Sequence, residues 1–80
     1  MSENKQLLLP KEDYVKILAI TKNILFFYEK DYDKNLVRIH TRDFKDYDEE
    51  SLLEDNNFLL NEIVETKELI IRLEQVVGNN

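Results

Sequence analysis

The residues that could carry out chemistry are few, and none stands in a complete catalytic pattern. His40 is the single histidine of the 80-residue chain, and the chain has no cysteine. A histidine without a neighbouring nucleophile cannot form a triad, and Asp43 supplies at most one orienting carboxylate. The lack of cysteine excludes disulfides, thiolate-ligated metals and a cysteine nucleophile. We therefore interpret His40 as a structural or surface residue and expect no enzymatic activity.

Two patterns of acidic residues resemble metal sites but lack the ligands that such sites need. Asp31, Asp33 and Asn35 have the spacing that opens a calcium-binding loop. However, Leu36 stands where that loop needs glycine, and Arg42 stands where it needs a bidentate glutamate. Carboxylate-bridged sites in helical bundles use Glu-x-x-His pairs, which are missing around the regularly spaced acids Glu62, Glu65 and Glu68. No metal and no other cofactor is expected.

The distribution of charge is the feature that points most directly to a function. The chain has 11 Lys+Arg against 17 Asp+Glu, a net charge of −6. Residues 43–55, called the acidic segment below, contain seven acids and one lysine, so they hold the whole net charge. One interpretation is a helix start, capped by Asp46, Asp48 or Ser51, where acids interact with free N–H groups. The other is a surface for a basic partner, with these candidate partner-binding acids: Asp46, Asp48, Glu49 and Glu50.

Hydrophobic spacing predicts an all-α chain whose helices must position these acids. A single glycine argues against a turn-rich β fold. The spacing predicts a helix over about 11–30, beginning after Pro10. Asp31-Tyr32-Asp33 indicates a break, followed by a short link or helix over about 34–44, where a strand-like pattern is also present. A long helix is predicted over about 48–77.

The long helix carries a heptad repeat. Leucine recurs at one core position, and β-branched residues with one asparagine recur at the other, as is typical of a parallel two-stranded coiled coil. This pattern predicts that Asn56 faces its own copy in a homodimer and that Glu62 and Lys67 pair between chains. The predicted oligomer interface consists of the heptad residues Asn56, Leu59, Ile63, Ile70 and Leu73.

The apolar faces are wider than one heptad repeat requires. Leu53, Leu60, Val64 and Ile71 extend the apolar arc of the long helix, and such a helix needs neighbours on two sides. We therefore predict an antiparallel hairpin of the two main helices, completed by a second copy as a dimeric helical bundle with coiled-coil character. The predicted core is Ile17, Leu18, Thr21, Ile24, Leu25, Tyr28, Leu52, Leu59, Leu60, Ile63, Ile70 and Leu73.

Outside the core, two features bear on organisation and partners. Phe26 lies between lysines and suits either the edge of the core or a contact with another chain. Residues 1–80 are expected to form one small domain, with residues 1–9 as a flexible arm. The longest apolar run, Ile24 to Tyr28, is too short to span a bilayer, and neither a membrane nor a targeting signal is indicated.

These features predict a non-enzymatic interaction protein. The favoured hypothesis is a small acidic inhibitor or regulator that occupies a basic surface of a larger protein, such as a surface that binds nucleic acid. Phage counter-defence proteins act in this way, and the Lys-, Asn- and Ile-rich composition is typical of AT-rich genomes. The expected location is the cytoplasm, that of the host cell if the protein is phage-encoded.

Two other functions stay open at this stage. The first is a structural or regulatory homodimer in which the long helix is the functional surface. The second is direct binding to nucleic acid through a basic stripe, Lys34, Arg38, Arg42 and Lys45. The net charge of −6 makes direct nucleic-acid binding the weakest of the three hypotheses.

Overall fold

Two long helices account for nearly all of the part of the chain that the structure describes. The computed structural model describes residues 8–78. Helix α1 spans Lys11–Thr41, helix α2 spans Glu49–Gly78, and residues 42–48 link them. The helices pack against each other as a hairpin, with no strand between residues 8 and 78. This confirms the predicted all-α hairpin. Its extents of 56 × 21 × 15 Å correspond to a single layer of helices.

Helix α1 begins where the sequence predicts. Pro10 adopts an extended conformation (φ −60°, ψ 153°), and its carbonyl accepts a hydrogen bond from the Asp13 N–H at 3.0 Å. Proline is well suited to this boundary because it has no N–H to leave unpaired. Glu12 and Asp13 lie in the first turn, where negative charge interacts favourably with the helix dipole.

The predicted break after residue 30 is wrong. Helix α1 continues without interruption through Asp31–Asp33 to Thr41, so the separate link or helix predicted over 34–44 is also incorrect. The half-buried positions of α1 keep their spacing through and beyond the two aspartates, at Tyr32, Asn35 and Ile39. Packing of these side chains outweighs the weak tendency of aspartate to leave a helix.

One stripe of each helix forms the core, which we call the heptad seam. On α2, the residues less than a tenth exposed are Leu52, Asn56, Leu59, Ile63, Ile70 and Leu73. On α1, Thr21 is buried, and the half-buried residues around it recur at alternating steps of four and three: Tyr14, Leu18, Leu25, Tyr28, Tyr32, Asn35 and Ile39. Helix α1 therefore has a heptad repeat of its own, which the sequence analysis did not identify.

The heptad seam lies within one chain, whereas the sequence prediction placed the same heptad residues between two chains. The Asn35 side-chain amide donates a hydrogen bond to the Asn56 side-chain oxygen at 2.9 Å, so Asn56 faces α1 and not its own copy. The Lys67 Nζ lies 3.6 Å from a carboxylate oxygen of Glu29 in the same chain. The five predicted interface residues, Asn56, Leu59, Ile63, Ile70 and Leu73, are all buried in the hairpin. The repeat on α1 is their packing partner within the chain.

The predicted core is confirmed in half of its residues. Six of them are buried: Thr21, Leu52, Leu59, Ile63, Ile70 and Leu73. Leu18, Leu25 and Tyr28 are half-buried. Ile17, Ile24 and Leu60 remain 37%, 42% and 45% exposed, because they lie beside the heptad seam and a single neighbouring helix does not cover them.

Candidate functional site

The end of helix α1 fixes the place where the acidic segment begins. Arg42 adopts a left-handed conformation (φ 55°), and its N–H donates to the Ile39 carbonyl at 3.2 Å. The next N–H, of Asp43, donates to the Arg38 carbonyl at 2.9 Å. These bonds satisfy carbonyls that a helix end otherwise leaves unpaired. The chain therefore turns out of α1 at a defined position.

Asp48 is the residue that caps helix α2. Its carboxylate oxygen Oδ1 accepts a hydrogen bond from the Ser51 N–H at 2.8 Å, and its carbonyl accepts one from the Leu52 N–H at 3.2 Å. The backbone N–H and then the hydroxyl of Ser51 lower the pKa of the Asp48 carboxyl below its ordinary value of 3.8. Of the three predicted caps, Asp48 therefore fills the role, and it is held in the ionised form at neutral pH.

A stacked arginine holds the linker against α1. The Arg38 guanidinium carbon lies 5.3 Å from the centre of the Tyr47 ring, within the range of a cation–π contact. A groove of about 390 Å³ lies beside this pair, lined among others by Lys34, Asp55 and Phe58. Arg38 was predicted from the sequence to belong to a basic stripe, and its contact with Tyr47 was not predicted. The two residues lie nine positions apart in the sequence, and no local pattern indicates their pairing.

The four predicted partner-binding acids all lie at the linker end of the hairpin. Asp46 and Asp48 belong to the linker, Glu49 and Glu50 form the first turn of α2, and all four are exposed. The ion pairs between residues 8 and 78 lie outside the acidic segment: Lys22–Glu74 at 3.3 Å and Glu29–Lys67 at 3.6 Å. The acidic segment therefore presents its charge to solvent.

Phe26 does not belong to the same site. It lies on α1 sixteen residues before the linker, about 24 Å along the helix axis at the rise of an α-helix. Its ring is 60% exposed and meets the Phe27 ring edge to face, with centroids 5.8 Å apart. The structure thus separates the apolar candidate from the acidic ones.

The remaining polar candidates do not assemble into a site. His40 is exposed in the last turn of α1. Asn35 and Asn56 bond to each other inside the heptad seam, where the Asn56 amide also donates to the Tyr32 carbonyl at 3.4 Å. Among residues 8–78, no three side chains of metal-ligating type come together. The acidic segment is therefore the candidate functional site.

Comparison with protein-family models, with curated proteins and with solved structures found no match. Neither α1 nor α2 combines the length and the apolar character that a membrane-spanning helix needs.

Proposed function

We propose that this protein binds a larger protein through its acidic segment and occupies a basic surface of that partner. The observation that carries the proposal is the position of the charge: the whole net charge of −6 lies in residues 43–55, at one end of an elongated hairpin. An interaction protein of this kind acts by covering a surface, and no chemical step is part of its action. The proposed role is inhibition or regulation of a protein whose basic surface binds nucleic acid.

The local structure supports a docking role for these acids beyond that of a helix start. Capping of α2 uses Asp48 alone, and the favourable effect of acids on the helix dipole falls off within the first turn. Asp43 and Asp46 precede the helix, while Glu54 and Asp55 lie beyond its first turn. Concentrated charge of one sign raises the association rate with a surface of opposite sign and selects against other partners.

The segment is also presented in a defined geometry. The Arg42 turn fixes the start of the linker, and the Arg38–Tyr47 contact and the Asp48 cap fix its end. A fixed linker loses little conformational entropy on binding.

The proposed location is the cytoplasm, and phage counter-defence is the proposed biological setting.

A second candidate function is that of a structural or regulatory homodimer. It is favoured by the apolar side chains left exposed outside the heptad seam, such as Ile20 at 52% and Phe27 at 60%. In that case the acids serve solubility, and the functional surface lies on the helices. The two candidates differ in salt dependence, because only docking through exposed charges weakens steeply as salt screens them.

The test compares two variants that remove the same number of charges. In the first, the acids of the proposed site are neutralised as Asp46→Asn, Asp48→Asn, Glu49→Gln and Glu50→Gln. Asparagine keeps the capping oxygen at position 48. In the second, the matched control, four acids outside the segment are neutralised: Asp33→Asn, Glu62→Gln, Glu65→Gln and Glu68→Gln. Circular dichroism checks that both variants keep their helical content.

Proteins retained from a host lysate by the wild type and by both variants are quantified at 50 and 300 mM salt. We expect at least one basic protein to bind the wild type and the control, to be lost from the site variant, and to be displaced by a short DNA duplex. Its retention should fall at high salt. Equal retention of the basic protein by the site variant and by the control would contradict the proposal. The functional surface would then lie on the helices.

A further inference from the structure

One residue of α1 contacts the linker at two places. The Arg38 carbonyl accepts a hydrogen bond from the Asp43 N–H at 2.9 Å, where the linker leaves α1. The Arg38 guanidinium carbon lies 5.3 Å from the centre of the Tyr47 ring, where the linker approaches α2. The segment bounded by these two contacts, residues 43–47, contains Asp46 of the proposed binding site. Arg38 therefore contacts the acidic segment at its start and again beside Asp46.

We propose that Arg38 is a positioning residue for partner binding, because its stack on Tyr47 holds Asp46 in the place where a basic partner meets it. The inference rests on the proposed function, in which residues 43–55 dock on a basic surface. It goes beyond that function by giving a cation a favourable role in binding a partner of the same sign. Net charge alone gives Arg38 the opposite role, since a cation in an acidic site weakens the attraction to a basic surface.

The first argument is that few other contacts hold this part of the linker. Among residues 8–78, no hydrogen bond and no ion pair involves residues 44–47. Phe44 is half-buried, and the three residues that follow it are exposed. Asp46 thus lies between an apolar anchor at Phe44 and the stacked ring of Tyr47, and the ring belongs to its immediate neighbour in the sequence. Loss of the stack would leave Asp46 held from one side alone.

The second argument is the kind of group that Arg38 contacts. The ion pairs between residues 8 and 78 are Lys22–Glu74 and Glu29–Lys67, so no carboxylate of the acidic segment pairs with Arg38. A cation that served to neutralise the acidic segment would contact a carboxylate, whereas this one contacts an aromatic ring. The planar, weakly hydrated guanidinium is well suited to stack on such a ring. The stack therefore holds the linker while the carboxylates stay free for a partner.

The expected size of the effect follows from the strength of the contact. A cation–π contact at an exposed site shifts an equilibrium by about two- to fivefold. When only chains with a held linker bind well, the apparent affinity falls by the same factor as the population of those chains. Replacement of Arg38 should therefore weaken partner binding by up to about fivefold, although it adds one unit to the net negative charge of −6.

The first experiment uses the full chain without a partner and measures backbone ¹⁵N order parameters of residues 44–47 by NMR. Arg38→Gln and Tyr47→Leu each remove the stack. Tyr47→Phe keeps the ring, and the control Lys34→Gln removes a cation that lines the same groove. We expect order parameters at Asp46 of about 0.85 in the wild type, Tyr47→Phe and Lys34→Gln, and below about 0.6 in the other two variants, with helical circular dichroism throughout. A wild-type value below about 0.6, or equal values in Arg38→Gln and the wild type, overturns the positioning role.

The second experiment measures the dissociation constant for the basic protein that the wild type retains and the site variant loses. Arg38→Gln should bind this protein more weakly than the wild type does. Lys34→Gln removes the same charge but leaves the stack in place, so it should bind equally well or more tightly. Unchanged or tighter binding by Arg38→Gln, or equal weakening by both variants, overturns the inference. Failure of the proposed function is recognised separately, because the site variant then retains the same proteins as its matched control.

Discussion

The hairpin has a linker end, around residues 42–48, and an open end, where α1 begins and α2 ends. The two ends share one heptad seam but differ in the chemistry of their surfaces. At the linker end, the acidic segment is exposed, and the two helices are joined by a polar contact between Asn35 and Asn56. At the open end, oppositely charged side chains are paired, as in Lys22 and Glu74, and isoleucines remain exposed beside the apolar part of the seam. The comparison indicates that the heptad seam holds the fold, whereas the surfaces at the two ends are available for binding.

The largest effect should follow truncation in the heptad seam. Leu52 is 1% exposed, while the adjacent Leu53 on the same turn is 48% exposed. Leu52→Ala removes buried methyl groups and leaves a cavity, so it should lower the free energy of unfolding by about 2–5 kcal/mol. Leu53→Ala should lower it by less than about 1 kcal/mol, since little apolar surface is buried there. Urea unfolding measures both, and equal losses would contradict the assigned seam.

The second effect concerns the polar contact at the linker end. Asn56→Ala leaves the Asn35 amide without its buried acceptor, which should cost about 1–3 kcal/mol of unfolding free energy. Because the two side chains bond to each other, Asn35→Ala should cost little more once Asn56 has been replaced. A double-mutant cycle from urea unfolding measures this coupling. Strictly additive losses would show that the two asparagines do not interact in solution.

The third effect concerns the cap of α2 and depends on pH. The pKa of Asp48 is lowered in the folded state, so its contribution to stability is present above the pKa of the unfolded chain. It is lost as the pH falls through the lower, folded-state pKa. Asp48→Ala should lower the melting temperature by a few degrees at pH 7 and by less at pH 2. Asp48→Asn keeps a capping oxygen, so it should lose less stability and none of it through titration.

The smallest effect is expected from the exposed ion pairs between α1 and α2. Lys67 and Glu29 are about half exposed, and pairs of this kind contribute at most about 1 kcal/mol. Lys67→Gln should therefore change the unfolding free energy by less than that, and 0.5 M salt should remove the difference from the wild type. A loss comparable to that of Leu52→Ala would show that this ion pair is buried in solution and would contradict its assignment as an exposed pair.

Much of the fold follows from the sequence because apolar spacing sets helix type and helix faces. The start of α1 after Pro10 and the heptad positions of α2 both have local causes, and both were predicted. The continuation of α1 past Asp31 was not, because local turn tendency and tertiary packing oppose each other there and packing prevails. The heptad repeat on α1 was not identified from the sequence either, because it is formed mainly by tyrosines, a threonine and an asparagine.

The residues of the candidate site could be predicted from the sequence, but the contacts that position them could not. The acidic segment and a cap at Asp48, Asp46 or Ser51 can be identified from residue types alone. The contact between Arg38 and Tyr47 depends on the turn at Arg42. Its left-handed conformation could not be predicted, because the position holds arginine and not the glycine or asparagine that usually adopts it. The proposed separation between Phe26 and the acids likewise follows only from the uninterrupted length of α1.

The central structural claim is that the heptad seam closes within one chain and leaves the outer surfaces for binding. Nuclear Overhauser contacts between the side chains of Asn35 and Asn56 test it most directly. The sample contains isotope-labelled protein diluted tenfold with unlabelled protein. A contact that persists between two labelled residues after dilution is the predicted result, because both asparagines then belong to the same chain. A contact seen only between labelled and unlabelled chains, with Asn56 facing its own copy, would contradict the claim.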